Sequence, residues 1–165
     1  MNLKTQNAFT MLELVFVIVV IGILSAVAIP KFATNKDDAV ISKAKTTISA
    51  VRSALSTERQ KRILQGNFAP IFRLSSGAVA GNPIFDAFDG NVTNPVLEYA
   101  PLSCRAAQDG CWRVTTIGAA GANAVYTFNM PLTGTVVFTL NNNRFNCPIA
   151  GVSAAQIRDC NRLTQ

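Results

Sequence analysis

Residues 9–29 read Phe-Thr-Met-Leu-Glu-Leu-Val-Phe-Val-Ile-Val-Val-Ile-Gly-Ile-Leu-Ser-Ala-Val-Ala-Ile, an apolar run broken by one charge, Glu13. As a helix rising 1.5 Å per residue the run covers about 31 Å, enough to cross the hydrocarbon core of a bilayer. An ionised carboxylate inside such a helix is costly, and Leu at position 13 would insert more readily. Glu13 therefore needs a use, and pairing with a positive charge is the use that physical chemistry supplies.

Two ordinary explanations fit the run but not the charge. A secretory signal peptide is cut after its apolar part, and Ser25-Ala26-Val27-Ala28 could supply the small-residue site. The run, however, exceeds the roughly 7–15 apolar residues of a signal peptide. A segment destined for removal also has no reason to carry Glu13, and a plain membrane anchor leaves it equally idle.

The flanks narrow the choice. Ala8-Phe9-Thr10-Met11-Leu12-Glu13-Leu14, the apolar run, and the closing Ala28-Ile29-Pro30 resemble the N-terminus of type IV prepilins and pseudopilins. These are the subunits of pili, type II secretion pseudopili and DNA-uptake filaments. The resemblance is specific over residues 1–36 and architectural beyond. It implies a leader, residues 1–8, removed by a prepilin peptidase between Ala8 and Phe9, and methylation of the new Phe9 amine. It also implies an assembly role for Glu13, whose carboxylate would meet the Phe9 amine of a neighbouring subunit. The family usually has Gly before the cut, where this chain has Ala8, the next smallest side chain. Further implied are a homo-oligomeric or mixed pilin filament, an inner-membrane assembly platform, membrane lipid around the precursor, and a helix able to loosen between Gly22 and Pro30. The residues themselves support a kink: proline removes a backbone hydrogen bond and clashes one turn back, and Gly22 lowers helix propensity.

Charge does not settle orientation, since Lys4 precedes the run while Lys31 and Lys36 follow it, offset by Asp37 and Asp38. The cysteines help. Cys104, Cys111, Cys147 and Cys160 all lie in the C-terminal part and point to an oxidising compartment. The resemblance implies the same topology: a precursor in the bacterial inner membrane with its leader in the cytoplasm and its C-terminal domain in the periplasm. The filament would then stand in the periplasm or at the cell surface. Four cysteines allow three pairings. Cys104 and Cys111 bracket a turn-like loop, Cys147 and Cys160 bracket residues 148–159, and the resemblance favours pairing Cys147 with Cys160 to pin a C-terminal loop to the sheet. Neither pair has the close C-x2–4-C spacing of common structural zinc sites, and no metal or cofactor is expected.

The net charge of +6 is concentrated in one stretch. Residues 31–62 hold eight Lys and Arg against three acids, whereas from Gly66 onward six Arg meet five acids. That basic stretch reads as the amphipathic second half, residues 31–66, of a helix whose first half is residues 9–30. Ile41, Ala44, Ile48, Val51 and Leu55 form one apolar seam at steps of three and four. Ser42, Thr46, Ser49, Ser53, Ser56 and Gln60 form a second face, which reads equally well as solvated or as close packing for another helix. Lys45, Arg52 and Arg59 make a stripe between them, expected to be solvated or to bridge subunits, and Gln65-Gly66-Asn67 supplies the stop.

The C-terminal domain, residues 67–165, has two textures. From Asn67 to Gly110 the chain is rich in Gly, Pro, Asn and Asp and reads as a loop-dominated connector with at most a short helix or strand. Within it, Asp86 to Asn91 faintly suggests a calcium loop but lacks the EF-hand spacing, and a solvated turn is expected. The Asn91-Val92-Thr93 sequon is too short to carry weight. After Cys111, Trp112 to Ile117, Val125 to Met130, Thr135 to Leu140 and Phe145 to Cys147 read as strands. Turn signals at 131–134 and 141–143 make them an antiparallel meander with one apolar face. The expectation is an α+β fold, a pilin-like lollipop with a long helix laid over a small antiparallel sheet.

Three function classes follow. An enzyme would need a catalytic constellation, and the chain has no histidine, no G-x-S-x-G and no paired acids in a motif. A nucleic-acid binder could use the basic stripe, but no aromatic residues interleave with it, so nucleic acid is possible rather than indicated. A structural filament subunit uses every feature above. Within that class a type IV pilus subunit leads, with a type II secretion pseudopilin or a minor pilin of a DNA-uptake filament as the alternative.

Overall fold

The computed structural model describes residues 9–105, 108–148 and 150–165, with the backbone alone at 30 and 33–35. It divides into two compact units, Met1–Asp38 and Ala39–Gln165.

The long helix α1 spans Met11–Leu64. In the first unit it is apolar all round: Met11–Ile29 has a mean hydropathy of 2.9, and none of its residues is buried within the protein. A helix with no polar face cannot be a surface helix of a water-soluble domain; it needs lipid or other apolar partners. The helix runs unbroken through Gly22 and Pro30.

In the second unit the same helix changes character. Ile41, Ala44, Ile48, Val51 and Leu55 are all buried, so the apolar seam is the inward face. The helix ends at Leu64, two residues before the expected boundary, in a Schellman motif. Gly66 takes a φ of 75°, its N–H donates to Ile63 O, and the Asn67 N–H donates to Arg62 O.

The sheet is a four-stranded antiparallel meander of β1 (Trp112–Thr116), β2 (Ala124–Met130), β3 (Gly134–Asn141) and β4 (Arg144–Asn146), in that spatial order. Two-residue periodicity puts Tyr126, Phe128 and Met130 of β2 beside Val136, Phe138 and Leu140 of β3 on the buried face. Asn142 and Asn143, with φ of 51° and 60°, make the two-residue turn between β3 and β4, the left-handed pair that such hairpins demand. Sheet and helix seam belong to one core, knit by Phe85, Trp112, Tyr126, Phe128, Phe138 and Phe145 with ring centroids 4.9–6.2 Å apart.

One expectation gains an addition and three need correction. The connector contains neither helix nor strand among its described residues, yet it is no mere surface loop, since Ile71, Leu74, Ile84, Phe85, Phe88 and Val96 are buried. Phe85 is fully buried at a φ of 61°, a backbone strain that its aromatic neighbours hold in place. The Asp86 to Asn91 segment is not a solvated turn. Asp89 accepts from the Phe72 and Arg73 N–H groups and pairs with Arg62 at 2.6 Å, and Asp86 binds Ser76.

The basic stripe is not simply solvated either. Arg52 donates to Phe145 O and Asn146 Oδ1, and Arg59 donates to Ala69 O. Finally, the C-terminal segment is not all loop: α2 spans Ala154–Thr164 and buries Cys160 and Leu163. Ser153 caps it by accepting from the Gln156 N–H at 3.3 Å.

Candidate functional site

The residues singled out in the sequence cluster at the start of α1. Phe9 and Thr10 precede the first helical residue, Met11. A helix leaves its first N–H groups without partners, and here Thr10 and Glu13 satisfy them reciprocally. The Thr10 Oγ1 accepts from the Glu13 N–H at 3.2 Å, while Glu13 Oε2 accepts from the Thr10 N–H and from the Thr10 hydroxyl, both at 2.9 Å. This is a capping box. Its Thr-x-x-Glu spacing was legible in the sequence, and Thr10 is the partner of Glu13 that reasoning from charge alone passes over.

The cap gives Glu13 a role inside its own helix, beside any role between chains. Both acceptor bonds fall on Oε2, and Oε1 accepts none among the described residues. Phe9 is 88% exposed. Ala8, and with it the leader, lies outside the described residues. Gly22 has open space where a Cβ would stand.

The cysteines belong to the other unit. The structure joins Cys104 to Cys111 across 5.9 Å between Cα atoms, and Cys147 to Cys160 across 6.1 Å. The first loop carries Gly110, whose N–H donates to Asn129 O, and so fastens to the end of β2. The second ties the end of β4 to α2.

Charged groups elsewhere in the second unit serve the fold. Buried Glu58 accepts from Arg62 Nε at 2.8 Å and from Asn94 Nδ2 at 3.0 Å. Burial pushes its carboxyl up, but these bonds and the Arg62 and Lys61 charges outweigh it and hold the group below its ordinary value. Tyr126, whose hydroxyl accepts from the Leu74 N–H at 2.7 Å, is pushed up to about 12, chiefly by burial. No group of three or more metal-ligating side chains occurs among the described residues.

Comparison with known proteins locates this arrangement. Residues 3–29 match the prokaryotic N-terminal methylation motif. The type IV narrow pilus major component of Thermus thermophilus is 33% identical over 105 residues, covering 62% of this chain and 82% of that protein. The chain belongs to the type IV pilin and pseudopilin family. A fimbrial protein of Moraxella nonliquefaciens is 38% identical over 58 residues, 35% of this chain. The type II secretion system core protein G of Pseudomonas aeruginosa is 36% identical over 55 residues, 33% of this chain. The chain spans only 38% and 39% of those two proteins' lengths. No solved structure matches this pilin-family chain.

Proposed function

We propose that the chain is the precursor of a filament subunit and has a structural rather than an enzymatic role. The leader is cut between Ala8 and Phe9 by a prepilin peptidase, the Phe9 amine is methylated, and the apolar half of α1 holds the subunit in the inner membrane until assembly. The second unit then lies in the periplasm, where its cysteines can oxidise. The observation that carries this reading is the methylation motif over residues 3–29, with a single carboxylate set in a span none of whose residues is buried within the protein. Glu13 can take up the Phe9 amine of a neighbour without losing its cap, because Oε2 serves Thr10 while Oε1 accepts no bond among the described residues.

Within the family, a pilus subunit is favoured over a secretion pseudopilin. A 105-residue alignment in a chain of this length must enter the second unit, so the likeness to the Thermus pilus component extends beyond the span. Mass spectrometry of membrane-extracted protein tests the proposal. An N-terminal Phe9 with one added methyl group is expected; an intact Met1 or a terminus near Ala28 would overturn it.

A further inference from the structure

The second unit carries a groove of about 500 Å³ between α1 and the β3–β4 hairpin, lined by Arg52, Arg59 and Arg144. No Asp or Glu lines it. The carboxylates of Glu58 and Asp89 are engaged elsewhere, by Lys61 and Arg62. Three guanidiniums around one groove repel one another unless an anion joins them, and solvent screens that repulsion only in part.

The walls are held in place. Arg52 is fixed by Phe145 O at 3.0 Å and Asn146 Oδ1 at 3.2 Å, which leaves three of its five donors outside those bonds. The turn that precedes Arg144 is tied down by Asn143 Oδ1, which accepts from the Ile71 N–H at 2.7 Å. Partial burial away from any carboxylate lowers the Arg52 pKa from its ordinary value, as expected for a cation short of a counter-ion.

The remaining lining narrows the ligand. Ser56, Gln60 and Asn142 add hydroxyl and amide groups of the kind that hydrogen-bond to alcohols. The one aromatic residue in the wall, Phe145, is 1% exposed and offers no face on which a base could stack. We propose that this groove binds a small polyhydroxylated anion, of the sugar-phosphate or sugar-acid class, with the arginines on the charged group and the amides on the hydroxyls.

Calorimetric titration of the full chain in a polyoxyethylene detergent at low salt, with glucose 6-phosphate, inorganic phosphate, glucose and a short single-stranded oligonucleotide, tests this. Glucose 6-phosphate is expected to saturate one site and to bind more tightly than inorganic phosphate, with glucose silent. Arg144→Gln and Arg59→Gln should each weaken it about tenfold, the loss of one charge-assisted contact, while Arg158→Gln on α2 leaves it unchanged. Circular dichroism of each variant establishes that its fold is intact. Equal binding by folded Arg144→Gln and Arg59→Gln, absence of saturation by glucose 6-phosphate, no preference for it over inorganic phosphate, or binding of the oligonucleotide alone would overturn the proposal.

Discussion

The two halves of α1 are made of similar apolar residues and meet opposite fates. In residues 9–29 Ile18 and Leu24 are 58% and 65% exposed, whereas in the second unit Ile48 and Leu55 are 1% and 2% exposed. The difference lies in what accompanies them. The second half alternates its apolar residues with polar ones, so a single seam faces the sheet and the aromatic cluster. The first half has no polar face and, among the described residues, no buried position, so its burial must come from lipid or from other subunits. One continuous element thus carries a finished interface and an unfinished one.

Glu13→Gln should break this comparison most sharply. Glutamine can keep the capping box with Thr10 but carries no charge, so it separates cap from charge pairing. The variant should be cleaved and should enter the membrane, yet yield no filament on sheared cells; normal assembly would leave the cap as Glu13's whole role. Next, Ile48→Ala should destabilise the second unit by about 2–5 kcal/mol, as core truncations do. The matching Ile18→Ala should leave its thermal unfolding unchanged, because Ile18 lies outside the second unit and is not buried.

Cys147→Ser opens the loop closed by Cys160, and the chain-entropy argument puts the loss near 3 kcal/mol. Thermal unfolding of variant and parent, both without reductant, should show it, and filament yield should fall more than membrane insertion. The smallest effect belongs to Tyr126→Phe. Leaving the Leu74 N–H unpaired costs about 1–3 kcal/mol. The phenol's pKa is raised in the folded protein, so its contribution is complete below about 10, the unfolded value, and lost as pH climbs towards about 12. Tyr126→Phe should therefore flatten the alkaline limb of the stability profile; an unchanged slope between those values would remove Tyr126 from it.

Short-range patterns carried much of this fold. The apolar span, the helix seam, the four strands and both β turns follow from periodicity and turn chemistry, which depend on neighbours a few residues away. The capping box from Thr10 to Glu13 and the Ser153 N-cap were equally legible, and the second marks the helix that replaces the expected C-terminal loop. Only the tertiary structure decided the rest. A connector without regular elements has no period to read, and Phe85 enters the core at a positive φ because rings distant in sequence enclose it. The arginine stripe shows the same limit. Spacing places Arg52 and Arg59 on one side of α1, but carbonyls at Phe145 and Ala69 determine what they bind, and Arg144 joins them only because a two-asparagine turn brings β4 back beside the helix. Local sequence fixes which way each side chain can point; what it meets there depends on chain-distant groups that no local pattern encodes.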